Sequence, residues 1–255
     1  MTQVIQSINE LIDARQNFKF DGASSKIGFV PTMGALHQGH ASLLKKARAE
    51  NQLTILSIFI NPTQFNNPND LTGYPKTFEH DLSVAKKENI DILFYPKYED
   101  IYVDNYNYRL VENEFSKKLC GAHRPGHFDG VLTVVMKLLM ITKADKAYFG
   151  EKDYQQLKLV QDMVKAFFVE TEIIGCPTFR EQSGLAMSSR NLRLSPQALE
   201  KASIIYKTIK DYPAPAAAEK LKSFGFDVDY VEESFGRRFA AASLEGVRLI
   251  DNVKI

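Results

Sequence analysis

Two histidines three residues apart, His37 and His40, close the run GFVPTMGALHQGHAS (residues 28–42). They lie between an apolar strand end and a helix predicted over 41–49. A helix start offers unpaired backbone N–H groups and the positive end of the peptide dipole, which suits an anion such as phosphate. Gly34 and Gly39 let the backbone approach such a group closely. A histidine pair can also begin a metal site, but zinc needs a third or fourth ligand at recognisable spacing, and none stands near. The two glycines match the G-x-x-x-x-G of a P-loop, with His40 and Ala41 in place of its Lys and Ser/Thr. Phosphate binding by imidazoles leads; metal and P-loop remain as alternatives.

Other stretches carry weaker signals of the same kind. IFINPTQF puts the amides of Asn61 and Gln64 at a strand end stopped by Pro62, where they can bind the hydroxyl or carboxylate of a small substrate or simply serve the loop. YFGEKDYQQ (148–156) follows a strand and opens a helix; Lys152 suits phosphate, Asp153 a ribose hydroxyl or magnesium, and Gln156 the next turn of the same pocket. Acids complementing a helix dipole explain that stretch equally well. MSSRN (187–191) offers two hydroxyls and Arg190 as a mobile phosphate clamp, or a plain turn. HRPGHFDG (123–130) supplies His123, Arg124 and His127 as a positive rim, a subunit contact or a rigid loop.

The elements that must position these groups alternate. Strands are predicted at 26–30, 53–60, 90–95, 146–149 and 172–174, and helices at 41–50, 77–88, 130–141 and 153–168. LTILSIFI is apolar at nearly every position, as in a strand covered on both faces of a parallel sheet. The alternation predicts an α/β fold with a doubly wound Rossmann-like parallel sheet, whose ligands gather beyond the carboxyl ends of the strands. His37, Asn61, Gln64 and Lys152 all follow predicted strands and can converge there. After Pro177 the texture changes: a Gly/Ser loop, a helix capped by Ser195 with Pro196 first, a Pro/Ala connector (DYPAPAAAEK) and two or three short strands at 228–232, 238–243 and 247–252. The predicted division is a Rossmann-like domain over 1–176 and a small α+β domain over 177–255.

Bulk properties narrow the function. The 255 residues carry a formal charge of +1, which predicts neither a nucleic-acid footprint nor an anionic membrane surface. Cys120 and Cys176 give no disulfide framework and no CxxC, so a reducing cytoplasm is expected. The first eighteen residues show the pattern of an amphipathic helix with early acids, unlike a secretory leader, and no run approaches a membrane span.

Taken in order, VPTMGALHQGH, SIFINPTQF, RPGHFDGV, FGEKDYQQL, GLAMSSRN and VRLIDN resemble the pantoate–β-alanine ligase (pantothenate synthetase) family over about residues 28–252. The HxGH and SSR elements alone resemble the wider nucleotidyltransferase superfamily. The resemblance implies a cytoplasmic homodimer in coenzyme A synthesis. Such an enzyme joins (R)-pantoate to β-alanine through a pantoyl adenylate, with ATP and Mg2+, releasing AMP and pyrophosphate. Carried over by residue, Met33, Gly34, Ala35, Leu36, His37, Gln38, Gly39 and His40 would line the ATP site. His37, His40 and Lys152 would act on phosphate, with His40 the proton donor. Gly150, Glu151, Lys152 and Asp153 would hold ATP, together with Phe179 through its backbone and Met187, Ser188, Ser189 and Arg190. Gln64, Gln156 and Asn61 would bind pantoate, and Gln64 also β-alanine. The ATP, pantoate and β-alanine sites would lie in the larger domain, with the smaller closing as a lid. Cys120 stands where the family commonly has an acid, and Asp129 where it often has Arg, so neither position is expected to carry those roles here.

Overall fold

The computed structural model describes residues 2–22 and 26–255. In chain order the first part holds β1 (Gln3–Ile5), α1 (Ile8–Gln16), β2 (Ile27–Thr32), α2 (Gln38–Glu50), β3 (Leu53–Ile58), α3 (Pro68–Thr72), α4 (Phe78–Lys87), β4 (Ile92–Phe94), α5 (Tyr98–Ile101), α6 (Cys120–His123), α7 (His127–Thr142), β5 (Lys146–Gly150), α8 (Tyr154–Ala166) and β6 (Glu172–Cys176). The remainder holds α9 (Pro196–Ala202), α10 (Ile204–Asp211), α11 (Ala214–Ser223), β7 (Asp227–Ser234), β8 (Arg237–Leu244) and β9 (Val247–Lys254).

β1 to β6 form one parallel sheet in the order β1-β4-β3-β2-β5-β6. Alternation along each strand splits its apolar side chains between two cores. Phe29, Ile55 and Ile92 face a core shared with α1, α7 and α8, whereas Val30, Leu56 and Leu93 face one shared with α2 and α4. Helices on both faces explain why LTILSI is buried at every position. The strand order reverses between β2 and β5, so the chain leaves their carboxyl ends in opposite directions and opens a crevice there. The expected α/β fold is therefore present.

The second sheet is an antiparallel meander, β7-β8-β9. One face, with Ala240, Ala242 and Leu249, packs under α9, α10 and α11. The other, with Tyr230, Phe239 and Ala241, joins the core of the large sheet. The two units thus meet through apolar contact.

Several predicted elements are corrected. The N-terminal run is not helical throughout: β1 adds an edge strand beside β4, and Ser7 caps α1 by accepting from Glu10 N at 3.2 Å. α2 begins at Gln38, three residues earlier than predicted, so His37 is its N-cap and His40 sits in its first turn. α7 likewise begins at His127, absorbing much of HRPGHFDG. The supposed Pro/Ala connector is α11, whose prolines lie at the N-cap and in the first turn, where no internal hydrogen bond is lost.

One close approach positions the site directly. A Cβ on Gly130 would lie 2.6 Å from the carbonyl of Thr63, so only glycine lets α7 press against the turn at Pro62–Gln64. Asn61 then donates from Nδ2 to the Gly130 carbonyl at 3.2 Å and to Gln64 Oε1 at 3.0 Å.

Candidate active site

The turn after β2 is built around a buried carboxylate. Thr32 Oγ1 donates to Ser57 O at 2.8 Å and accepts from Gly34 N at 3.2 Å. Asp81 of α4, 1% exposed, accepts from Ala35 N at 2.9 Å and Leu36 N at 2.7 Å. The amides of Ala35 and Leu36 are therefore engaged inside the protein. Among the expected nucleotide contacts, Gly34, Ala35, Leu36 and Gln38 do not line the central cavity, whereas Met33, His37, Gly39 and His40 do.

The two histidines cap α2 reciprocally. Gly39 N donates to His37 Nδ1 at 3.1 Å, and His37 N donates to His40 Nδ1 at 3.3 Å. A Cβ on Gly39 would lie 2.8 Å from the His37 ring, so a side chain there would displace the capping imidazole. Each Nδ1 is an acceptor, which leaves the proton of the neutral ring on Nε2 as a donor. Burial, then the Lys152 ammonium, hold His37 at about 4 against an ordinary value of 6.5, with Asp153 pulling upward. Burial, then His37 and Lys152, push His40 well below its ordinary value. Both imidazoles are neutral donors near pH 7, their rings tilted by 36° with centroids 4.0 Å apart.

The cavity of about 230 Å³ gathers residues from four strand ends. His37 and His40 follow β2, and Asn61 and Gln64 follow β3. Gly150 ends β5 and Lys152, Asp153 and Gln156 follow it, and Phe179 follows β6; Met187, Ser188, Ser189 and Arg190 arrive from the loop beyond. Ser189 Oγ donates to Ala35 O at 3.2 Å, tying that loop to the first turn. Arg190 pairs with Asp70 at 2.9 Å. Burial alone would raise the Asp70 carboxyl, and Arg190 and Arg193 more than offset it, so it stays below its usual range. Glu151 alone of its segment turns away, pairing with Arg237 at 2.5 Å.

VRLIDN has its place in this arrangement. Asn252 donates from Nδ2 to the carbonyls of Glu151 at 2.9 Å and Lys152 at 3.0 Å, and accepts from Arg237 at 2.6 Å. Asp251 takes both arms of Arg180, at 2.6 and 2.8 Å, one residue beyond Phe179. Two neighbouring residues of β9 therefore hold both sides of the crevice.

Sequence reasoning missed several lining groups. Val131, Val134, Val135 and Leu138 make an apolar wall; their i, i+3, i+4, i+7 spacing was visible, but it reads as ordinary core. Tyr74 lines the cavity without any sequence signal. His127 donates from Nδ1 to Gln64 O at 2.8 Å, and burial, then Arg124, lower it to about 3. At the two departures, Cys120 Sγ lies 3.1 Å from Tyr230 Oη, and Asp129 sits in the first turn of α7. Among the described residues there is no cluster of three metal-ligating side chains, and no helix is long and apolar enough to cross a membrane.

Comparison with known proteins gives the family and the fold. The family model described as pantoate-beta-alanine ligase matches residues 3–254. The chain is 55% identical over 256 residues to the pantothenate synthetase of Bdellovibrio bacteriovorus, covering 100% of both chains. It is 49% identical to that of Legionella pneumophila (strain Lens), covering 98% of each. A crystal structure of pantoate-beta-alanine ligase from Francisella tularensis, complexed with beta-gamma ATP and beta-alanine, superposes with a TM-score of 0.93 at 44% identity, over 100% of this chain and 98% of that one. A pantothenate synthetase from Thermus thermophilus gives 0.89 at 36%, over 100% and 99%.

Two outcomes follow from the geometry. Unfolded, His37 binds a proton below about 6.5; folded, only below about 4. Between these values the unfolded state holds more protons, so stability falls as pH drops through that window. His37→Gln flattens that slope in urea titrations repeated from pH 7 to 4, and an unaltered slope would refute the neutral ring. Asn252→Ala, by freeing the Lys152 turn, raises the KM for nucleotide and lowers kcat together by about 10-fold, the scale of one or two lost hydrogen bonds. Steady-state kinetics at varied nucleotide concentration measures both.

Proposed function

The chain belongs to the pantoate-beta-alanine ligase family, and is thus a carbon–nitrogen ligase. We propose that it condenses (R)-pantoate with β-alanine, using ATP, by way of an enzyme-bound pantoyl adenylate. The observation that carries this is the meeting of neutral imidazoles, Lys152 and the amides of Gln64 and Gln156 in one crevice beside an apolar wall.

In the first step a pantoate carboxylate oxygen attacks the α-phosphorus, and the bond to the bridging oxygen of pyrophosphate breaks. Negative charge grows on the α-phosphoryl oxygens and the leaving group, so positioned donors lower the barrier without any protein nucleophile. His37 and His40 donate from Nε2, Lys152 adds a full charge, and the first turn of α2 adds the positive end of its peptide dipole. Ser188 and Arg190 hold the far phosphates, and Phe179 borders the nucleotide opposite Gly39. Gln64, Gln156 and Asn61 take the hydroxyls of pantoate. The wall of Val131, Val134, Val135 and Leu138 fits its two methyl groups. In the second step the β-alanine amine attacks the acyl carbonyl and the C–O bond to AMP breaks, forming the amide and releasing a proton.

Mg2+ prefers phosphate oxygens and water with one or two carboxylates. Asp153, with a side chain 47% exposed beside Lys152, fits such a partial shell, and the metal would supply further charge at the phosphates. The segment 177–255 acts as a lid, the working form is a homodimer, and the expected compartment is the cytoplasm.

The wild-type protein is expected to exchange labelled pyrophosphate into ATP when pantoate is present, without β-alanine, and to free AMP only once β-alanine is added. Absence of pantoate-dependent exchange overturns the adenylate; AMP release without amine overturns the order. His40→Ala slows the exchange by about 10²–10³-fold, as for loss of one preorganised donor, while stability falls only by about 1 kcal/mol, the scale of one lost helix cap.

A further inference from the structure

Arg124 occupies the turn between α6 and α7 and borders two cavities. One is the crevice of His37, His40 and Lys152; the other is a chamber of about 370 Å³ between the large sheet and the small one. The guanidinium therefore stands where the two join. The other Lys and Arg side chains lining the chamber each have a carboxylate: Arg190 and Arg193 share Asp70, Arg248 holds Asp229, and Lys152 lies 3.7 Å from Asp153. Among the described residues no ion pair is made by Arg124.

Its protein contacts are neutral. Nη1 meets His127 Nε2 at 3.1 Å, and Nη2 donates to Gln64 O at 3.2 Å. His127 gives its Nδ1 proton to the same carbonyl, so its Nε2 is the acceptor, and the imidazole orients the cation without neutralising it. Two of the five guanidinium N–H donors are thereby used, and three remain for a ligand. Burial, then the nearby Arg190, lower Arg124 to about 10, as expected of a cation lacking its counter-ion. Desolvating such a charge is unfavourable until an anion arrives.

We propose that this anion is the carboxylate of the amino-acid substrate, and that Arg124 selects an amine bearing an acid two methylenes away. The inference rests on the proposed reaction. Gln64 is the residue assigned to both the acyl group and the amine, and its carbonyl is what fixes the guanidinium. An amine attacking the acyl carbonyl beside Gln64 then directs its carboxylate toward the adjoining chamber. A phosphate or the pantoate carboxylate would share this chemistry. Those anions already have Lys152, the start of α2 and Arg190, and the experiment separates them.

Kinetics of Arg124→Met and Arg124→Lys decide the matter, with the wild type assayed in parallel on β-alanine and on the neutral 3-aminopropanamide. Expected in Arg124→Met is a β-alanine KM raised by about 10–100-fold, the scale of lost charged hydrogen bonds, with pantoate-dependent pyrophosphate exchange within about threefold of wild type. Arg124→Lys restores part of the loss, and Arg124→Met no longer prefers the acid over the amide. A β-alanine KM unchanged while exchange falls, or while the KM for pantoate or pyrophosphate rises, assigns Arg124 to another anion and overturns the proposal. Equal use of acid and amide by the wild type overturns it too, whether or not Arg124→Met folds. Failure of exchange in the wild type itself refutes instead the underlying adenylate reaction.

Discussion

The site depends on one buried dipeptide, Asp251–Asn252, at 5% and 3% exposure. Asp251 fixes Arg180 at the start of the loop that carries residues 187–190, and Asn252 fixes the carbonyls on either side of the Glu151–Lys152 peptide. Both crevice walls are thus referenced to a single strand of the small sheet. A buried pair of this kind gives little net stability, because two ions have been taken from water. Its effect is on geometry: removing either partner would strand the other, so alternative placements of the loops are strongly disfavoured. Arg237 strengthens the joint by bridging Asn252 and Glu151 while lying 4.0 Å over the Tyr154 ring.

That rigidity suits the electrostatics of the histidines. Neutral imidazoles would be poor long-range attractors of a triphosphate, and in the proposed reaction Lys152 and Arg190 would supply that attraction. What the imidazoles provide is direction. Each ring is held by a backbone N–H on Nδ1 and presents its remaining proton from Nε2. The donors are therefore aimed before the substrate arrives, and little reorganisation is needed as charge develops. A bound triphosphate would reverse part of the depression, since a neighbouring anion favours the protonated ring. The free and loaded sites thus differ in proton affinity through the same two residues.

The parts legible in sequence were those with local signatures. Apolar runs gave the central strands, and glycine next to histidine marked the anion turn. The start of α2 differs from expectation because its cap is His37 rather than the usual Ser, Thr, Asp or Asn. β1 is hidden because three residues carry almost no periodicity, and α11 because its prolines resemble a linker. Asp81 reads as an acid near a helix start, yet it binds Ala35 and Leu36 across 46 and 45 residues of sequence. Contacts at such separations, like Arg180 to Asp251, are set by the fold, so no window of neighbouring residues contains them.

The apolar stripe of α7 joins fold and chemistry. The same four side chains complete the core beneath the sheet and face the crevice. In the proposed reaction the intermediate is a mixed anhydride, which water admitted before the amine would hydrolyse. A wall of Val131, Val134, Val135 and Leu138 offers water no hydrogen-bond partner beside the acyl group. The polar groups proposed to bind pantoate sit opposite, on the turn held by Gly130. In that reaction the glycine that allows α7 to approach the turn would also bring the dry wall against the acyl carbon. Packing density and protection of the proposed intermediate would then come from one contact.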